Sequence, residues 1–181
     1  MVATATRAGL ALKGSVPPYR QRTSDYSCGP VCICSCLDYL LMRDDRPKLD
    51  YAAIRKIEDL TMEGRVWSSW GTGYDRMKSA VRSMGFGCRE IRGSTDKARK
   101  NDLQQSIARS NPVILSCVAG IGRKRYRHYV VLIGIDDSHI RVHDPYPKGR
   151  PSRIRFEDFL KNGRRTSWGN RRWGIEVYTK N

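Results

Sequence analysis

Two hydrophobic periods divide this chain, and the change between them falls at Pro112. Before it, apolar residues recur at helical spacing. The densest run follows Cys28-Gly29-Pro30 and continues to about Met42. Pro30 suits a first helical turn, because proline has a preset φ and no N–H to lose there. Asp50 reads as the N-cap of a second helix, Tyr51–Leu60, whose anchors are Ala53, Ile54, Ile57 and Leu60. Tyr74, Met77, Val81 and Met84 share a face of a third helix, Gly73–Met84, with Gly85 as its stop. Phe86–Arg92 is a short strand, and Asp96–Arg109 a polar helix held by Leu103 and Ile107. After Pro112 the period shortens. Val113–Val118 is an apolar, β-branched run, followed by a basic loop over Gly120–Arg127 and a strand over His128–Asp136. Ile140–His143 follows a short turn, Ile154–Leu160 carries a small helix, and Ile175–Tyr178 is a last strand. Helices first and an antiparallel sheet afterwards make an α+β arrangement.

A chain of 181 residues is long enough for one domain with a real core. Residues 1–15 are small, polar and basic and read as a flexible arm; residues 16–181 read as a single domain. Lys and Arg outnumber Asp and Glu by 34 to 18, a net charge of +16. Such a field attracts polyanions, including nucleic acid. The candidate contacts are Arg123, Lys124, Arg125 and Arg127 before His128, and Arg164, Arg165, Arg171 and Arg172 interleaved with Trp168 and Trp173. Trp67 and Trp70 read as core or cleft-rim aromatics. There is no secretory signal and no apolar run near the roughly 20 residues of a membrane span. The expected setting is cytoplasmic or virion-associated, as in a phage or bacterial protein. Six cysteines do not form a disulfide framework here. Cys32, Cys34 and Cys36 lie too close along one helix, and three positions at i, i+2 and i+4 cannot face one metal ion. They read as small core residues, and neither a metal nor a cofactor is expected.

Cys28 is different, because it stands at a helix head, where unpaired N–H groups and the helix dipole favour a thiolate. It becomes a candidate nucleophile only with a base and an orienting acid downstream. His128 opens an apolar strand, and the hairpin after it decides its neighbours. A three-residue turn at 136–138 pairs Ile135 with His139 and sets Val130 opposite Asp144. His128, Val130, Leu132, Ile140, Val142 and Asp144 then share the inner face, while Arg141 and His143 point out. A slip of one residue buries Arg141 and His143 instead, which burial of charge disfavours. The residues therefore supply Cys28, His128 and Asp144, with Gln21 seven residues before Cys28 as an oxyanion donor.

Gln21, Cys28-Gly29-Pro30, Gly71-Thr72, Pro112-Val113-Ile114, His128-Tyr129-Val130-Val131 and Asp144-Pro145 stand in one order over residues 16–160. In that order they resemble the papain-like cysteine peptidases of the bacteriocin-leader, double-glycine type. The resemblance implies a helical lobe carrying Cys28 at the head of its central helix, packed on a sheet lobe carrying His128 and Asp144. It also implies a thiol hydrolase that cleaves a peptide or isopeptide bond in a protein or peptide substrate. Two other functions fit the same residues: a nucleic-acid-associated or virion structural protein on a peptidase-like scaffold, and an acyl- or amide-transferring enzyme.

Overall fold

The computed structural model describes residues 9–20, 27–62, 72–121, 124–146, 152–163 and 174–180, with the backbone alone at 118–121, 124–127 and 162–163. Its centre is α1 (Cys28–Arg43), buried almost all round from Cys28 to Leu41. A helix apolar on every side must be enclosed, and this one touches α2 (Tyr51–Met62), α3 (Tyr74–Ser83) and the sheet. Cys32, Cys34 and Cys36 are 0–3 % exposed, the small core residues expected of them. Ile33, Leu37 and Leu40 are wholly buried beside them, each contributing roughly 1.5–3 kcal/mol. Asp38 is the one acid inside this helix, and it is satisfied. It accepts from the Tyr19 hydroxyl at 2.7 Å and the Leu49 N–H at 2.7 Å, so it ties the entry segment and the α1–α2 connection to α1.

Local sequence sets the other helix ends. Asp50 accepts from the Ala53 N–H at 2.7 Å and caps α2. Losing that cap in Asp50→Ala is expected to lower stability by about 1 kcal/mol, read from the midpoint of denaturant unfolding. Gly85 stops α3 with φ +87°, a conformation that glycine adopts without cost. Thr95 caps α4 (Asp96–Ala108) by accepting from Ala98 N at 3.1 Å.

The described strands form one antiparallel sheet, ordered β2 (Gly87–Ile91), β7 (Gly174–Tyr178), β3 (Val113–Ile121), β4 (Lys124–Ile135), β5 (His139–His143), β6 (Ser152–Arg155). A short β1 (Leu10–Ala11) also pairs with β4, at Ile135 and Gly134. The flexible arm expected over residues 1–15 therefore does not extend through residue 15. Leu10–Ala11 extends the sheet, and Leu12, 7 % exposed, joins the core. The basic loop expected over Gly120–Arg127 is likewise mostly ladder, since pairing runs on to Ile121 and Lys124. Backbone pairing needs no apolar side chains, so the end of the apolar run did not mark the end of the strand. β6 was not foreseen because its residues are largely exposed and carry no alternation. The small helix, α5 (Phe156–Gly163), begins directly after it.

The β4–β5 hairpin reaches the expected register by another route. Ile135 pairs with Ile140 rather than His139, because Asp136 takes the N–H groups of Ser138 and His139 in a side-chain-capped turn. A register shift between Leu132 and Gly134 absorbs the extra residue, and Val131 then faces His143. Continued by one residue, that pairing puts Val130 opposite Asp144. His143 leaves the His128 face as expected, but it is 5 % exposed rather than at the surface. The Tyr19 backbone hydrogen-bonds to it, and Val16 and Tyr19 pack against the core. The second face of the sheet is thus covered too. No described helix is long and apolar enough to cross a membrane.

Candidate active site

Cys28 is the first residue of α1 and 7 % exposed. Gly29 behind it makes a close approach: a Cβ there would lie 2.9 Å from Thr72 Cβ and 3.0 Å from its Oγ1. Thr72 precedes α3, and its carbonyl accepts from the Tyr129 hydroxyl at 2.8 Å. Tyr129 also meets the Tyr74 ring edge-on, with centroids 5.8 Å apart. This wedge locks three elements together: the head of α1, the head of α3, and the strand in which His128 precedes Tyr129. The sequence displayed Gly29, Thr72 and Tyr129 as motif letters; only packing reveals that they meet, next to Cys28 and His128 in the chain.

His128 is buried, and its Nε2 lies 2.7 Å from Asp144 Oδ1. The same oxygen accepts from the Tyr146 N–H at 2.9 Å, which fixes the carboxylate. The imidazole's second hydrogen-bond partner is Cys28. With Nε2 turned to Asp144, Nδ1 is the nitrogen left for the thiol. Burial pulls the His128 pKa down, but Asp144 and Cys28 together outweigh it and push it up to about 9. Asp144 shows the converse: burial raises its pKa, and the His128 and Tyr146 hydrogen bonds hold it below the usual carboxylate range. The Asp144 carboxylate on one side and the Cys28 sulfur on the other thus favour the protonated form of the ring.

Cys117 was not singled out in sequence, yet it pairs directly with His128 across β3 and β4. Hairpin register was the only available signal. Burial pushes its thiol up to about 12, and Asp144 and Cys28 add to the shift. Cys34 is also pushed up to about 12, chiefly by burial. Burial raises Cys32, Cys36 and Cys88 as well. His139 bonds Ser138 at the turn and lies away from the site.

Gln21, Trp67, Trp70, Gly71, Arg123, Arg164, Arg165, Trp168, Arg171, Arg172 and Trp173 lie outside the described residues. Lys124, Arg125 and Arg127 lie on the β4 backbone, without described side chains.

Comparison with known proteins identifies the family and the fold. No curated protein matches the chain in sequence. The model of the Peptidase_C39 like family matches residues 13–172. Among solved structures, the peptidase domain of Streptococcus ComA, a bi-functional ABC transporter involved in quorum sensing, is 19% identical. That match covers 90% of this chain and 97% of that one, with a TM-score of 0.60. A putative C39-like peptidase from Bacillus anthracis is 14% identical, over 95% of this chain and 98% of that one, at TM-score 0.62. A double glycine motif protease from an AMS/PCAT transporter, in complex with the leader peptide, is 14% identical. It covers 96% of this chain and 100% of its own, at TM-score 0.57. The family model spans most of the sequence and the solved relatives share the fold throughout: this chain belongs to the Peptidase_C39-like family and is a papain-like cysteine peptidase.

Proposed function

We propose that this peptidase works through Cys28 as nucleophile, His128 as proton carrier and Asp144 as the group that orients the imidazole. The 2.7 Å contact between His128 Nε2 and Asp144 Oδ1, with Cys28 as the ring's other partner, carries this reading. The Cys28 sulfur attacks the carbonyl carbon of the scissile bond, and the carbonyl electron pair moves to oxygen. The Cys28 backbone N–H at the helix head and the Gln21 amide hold that oxyanion. His128 gives its proton to the leaving amine, the C–N bond breaks, and an acyl-thioester remains. Water then loses a proton to His128, adds to the acyl carbon, and expels the Cys28 sulfur as the carboxylic acid forms. The substrate is a peptide or isopeptide bond. The solved relative in complex with a leader peptide supports a peptide chain as the substrate.

Selective alkylation tests the nucleophile without requiring the substrate. Five of the six cysteines have thiol pKa values raised mainly by burial, and Cys28 alone has an imidazolium partner. Iodoacetamide at pH 7, followed by peptide mass mapping, is expected to label Cys28 first. His128→Ala is expected to slow that labelling by about tenfold or more, since the thiolate is the reacting species. Equal labelling of several cysteines in the folded protein overturns the assignment.

A further inference from the structure

At the opposite end of α1 from Cys28, the protein has a cavity of ≈ 710 Å³, within the range of small-molecule sites. Its walls bring together Lys13, Arg43, Arg89 and Arg109 around Glu176 and Asn111. None of the proposed reacting groups lines it. Cys28 and Arg43 are the first and last residues of a 16-residue helix, so the two sites are about 22 Å apart at 1.5 Å per residue.

Glu176 explains how so much positive charge is held in one place. It is 2 % exposed, and both of its oxygens are occupied. Arg89 donates to Oε2 through Nε at 2.8 Å and Nη2 at 2.6 Å. Arg109 donates to Oε1 through Nε and Nη2, the latter at 3.0 Å, and Asn111 adds a bond at 2.8 Å. Burial raises the Glu176 pKa, and these donors more than reverse it, so the carboxylate stays ionised. Each guanidinium is therefore gripped along one edge. Among the described residues, neither Arg89 Nη1 nor Arg109 Nη1 has a further partner, and both side chains remain nearly half exposed. Arg43 is held through all three of its guanidinium nitrogens, by Asp44, the Ser110 carbonyl and Thr179, and contributes charge rather than a free edge. Four cations against Glu176 and Asp44 leave two net positive charges around the opening.

Arginines whose rotamers are already paid for by a buried acid lose little entropy on binding, and their free edges match the geometry of an oxyanion. We infer that this cavity binds a small multivalent oxyanion, a phosphate ester or a polycarboxylate, remote from the Cys28 site. The surplus of +16 alone would attract anions everywhere; the clamped pair makes one saturable position.

Isothermal titration of the full chain with pyrophosphate, and separately with citrate, tests the site at low salt. Saturable binding of one equivalent is expected, and the tighter probe identifies which oxyanion class fits. Arg89→Gln and Arg109→Gln should each weaken binding by about tenfold or more, as for a charged hydrogen bond. Lys13→Gln, at an exposed position that does not hold the fold, should weaken it severalfold. The double variant Lys48→Gln/Lys97→Gln removes two exposed charges elsewhere and should bind as the parent does. Cys28→Ala should also bind normally, which separates this site from the peptidase chemistry. Binding of neither probe, non-saturating uptake, or an equal loss in the Lys48/Lys97 variant overturns the inference.

Discussion

Peptide cleavage by the Cys28→Ala variant is expected to fall on the order of 10⁴-fold or more, with His128→Ala close behind, because residues that act as one unit fail together. A pooled peptide library read by mass spectrometry is the measurement, with unchanged thermal unfolding of Cys28→Ala as the control for folding. The pH profile adds a test that mere structural damage does not mimic. His128 must carry its proton to the leaving amine, and its pKa is raised from 6.5 to about 9. Activity is therefore expected to decline on the alkaline side near pH 9. Asp144→Asn removes the largest influence raising that value, so the decline should move to lower pH. A profile unmoved by Asp144→Asn contradicts the orienting role.

The same pair links pH to stability, with opposite signs at its two ends. A raised histidine pKa contributes stability that is complete below 6.5 and fades as pH climbs through about 9. Asp144, lowered from 3.8, contributes stability above that value and loses it as pH falls through its folded pKa. The pair accordingly stabilises the fold across neutral pH and weakens toward both extremes.

The second large effect is expected at Gly29. An alanine there puts a methyl 2.9 Å from Thr72 Cβ, an atom one bond from the backbone that cannot swing aside. The α1 head or the segment before α3 must shift, at a stability cost of about 1–3 kcal/mol. A shift of the α1 head carries Cys28 with it, so cleavage should drop by about a hundredfold. Unfolding midpoints and cleavage rates measure the two effects separately. Gly29→Ala combined with Thr72→Gly removes the obstructing Cβ and should recover part of the activity. No recovery in the double variant contradicts the wedge formed by Gly29, Thr72 and Tyr129.

Much of this molecule was legible in one dimension, for local reasons. Helical and strand periods located α1 to α4 and most strands within a few residues, and Asp50 and Gly85 marked ends through chemistry that acts within a turn. Cys28, His128 and Asp144 could be singled out because a nucleophile, a base and an acid are rare at such positions together. What the sequence read wrongly lay where neighbours decide. Asp136 lengthened the β4–β5 turn, and only the shift between Leu132 and Gly134 restored the phase that directs His128 and Asp144 toward one another. Leu10–Ala11 joined the sheet because β4 offered it an open edge before β3 begins. His143 became a core residue because the Tyr19 segment closed over it. The contact of Gly29 with Thr72 and the gathering of Arg89 and Arg109 on Glu176 join residues 43 to 87 positions apart. Sequence determined which groups this protein can use and which elements carry them. Tertiary packing alone decided how far apart those groups stand, because excluded volume and buried charge act through space, and no local period encodes them.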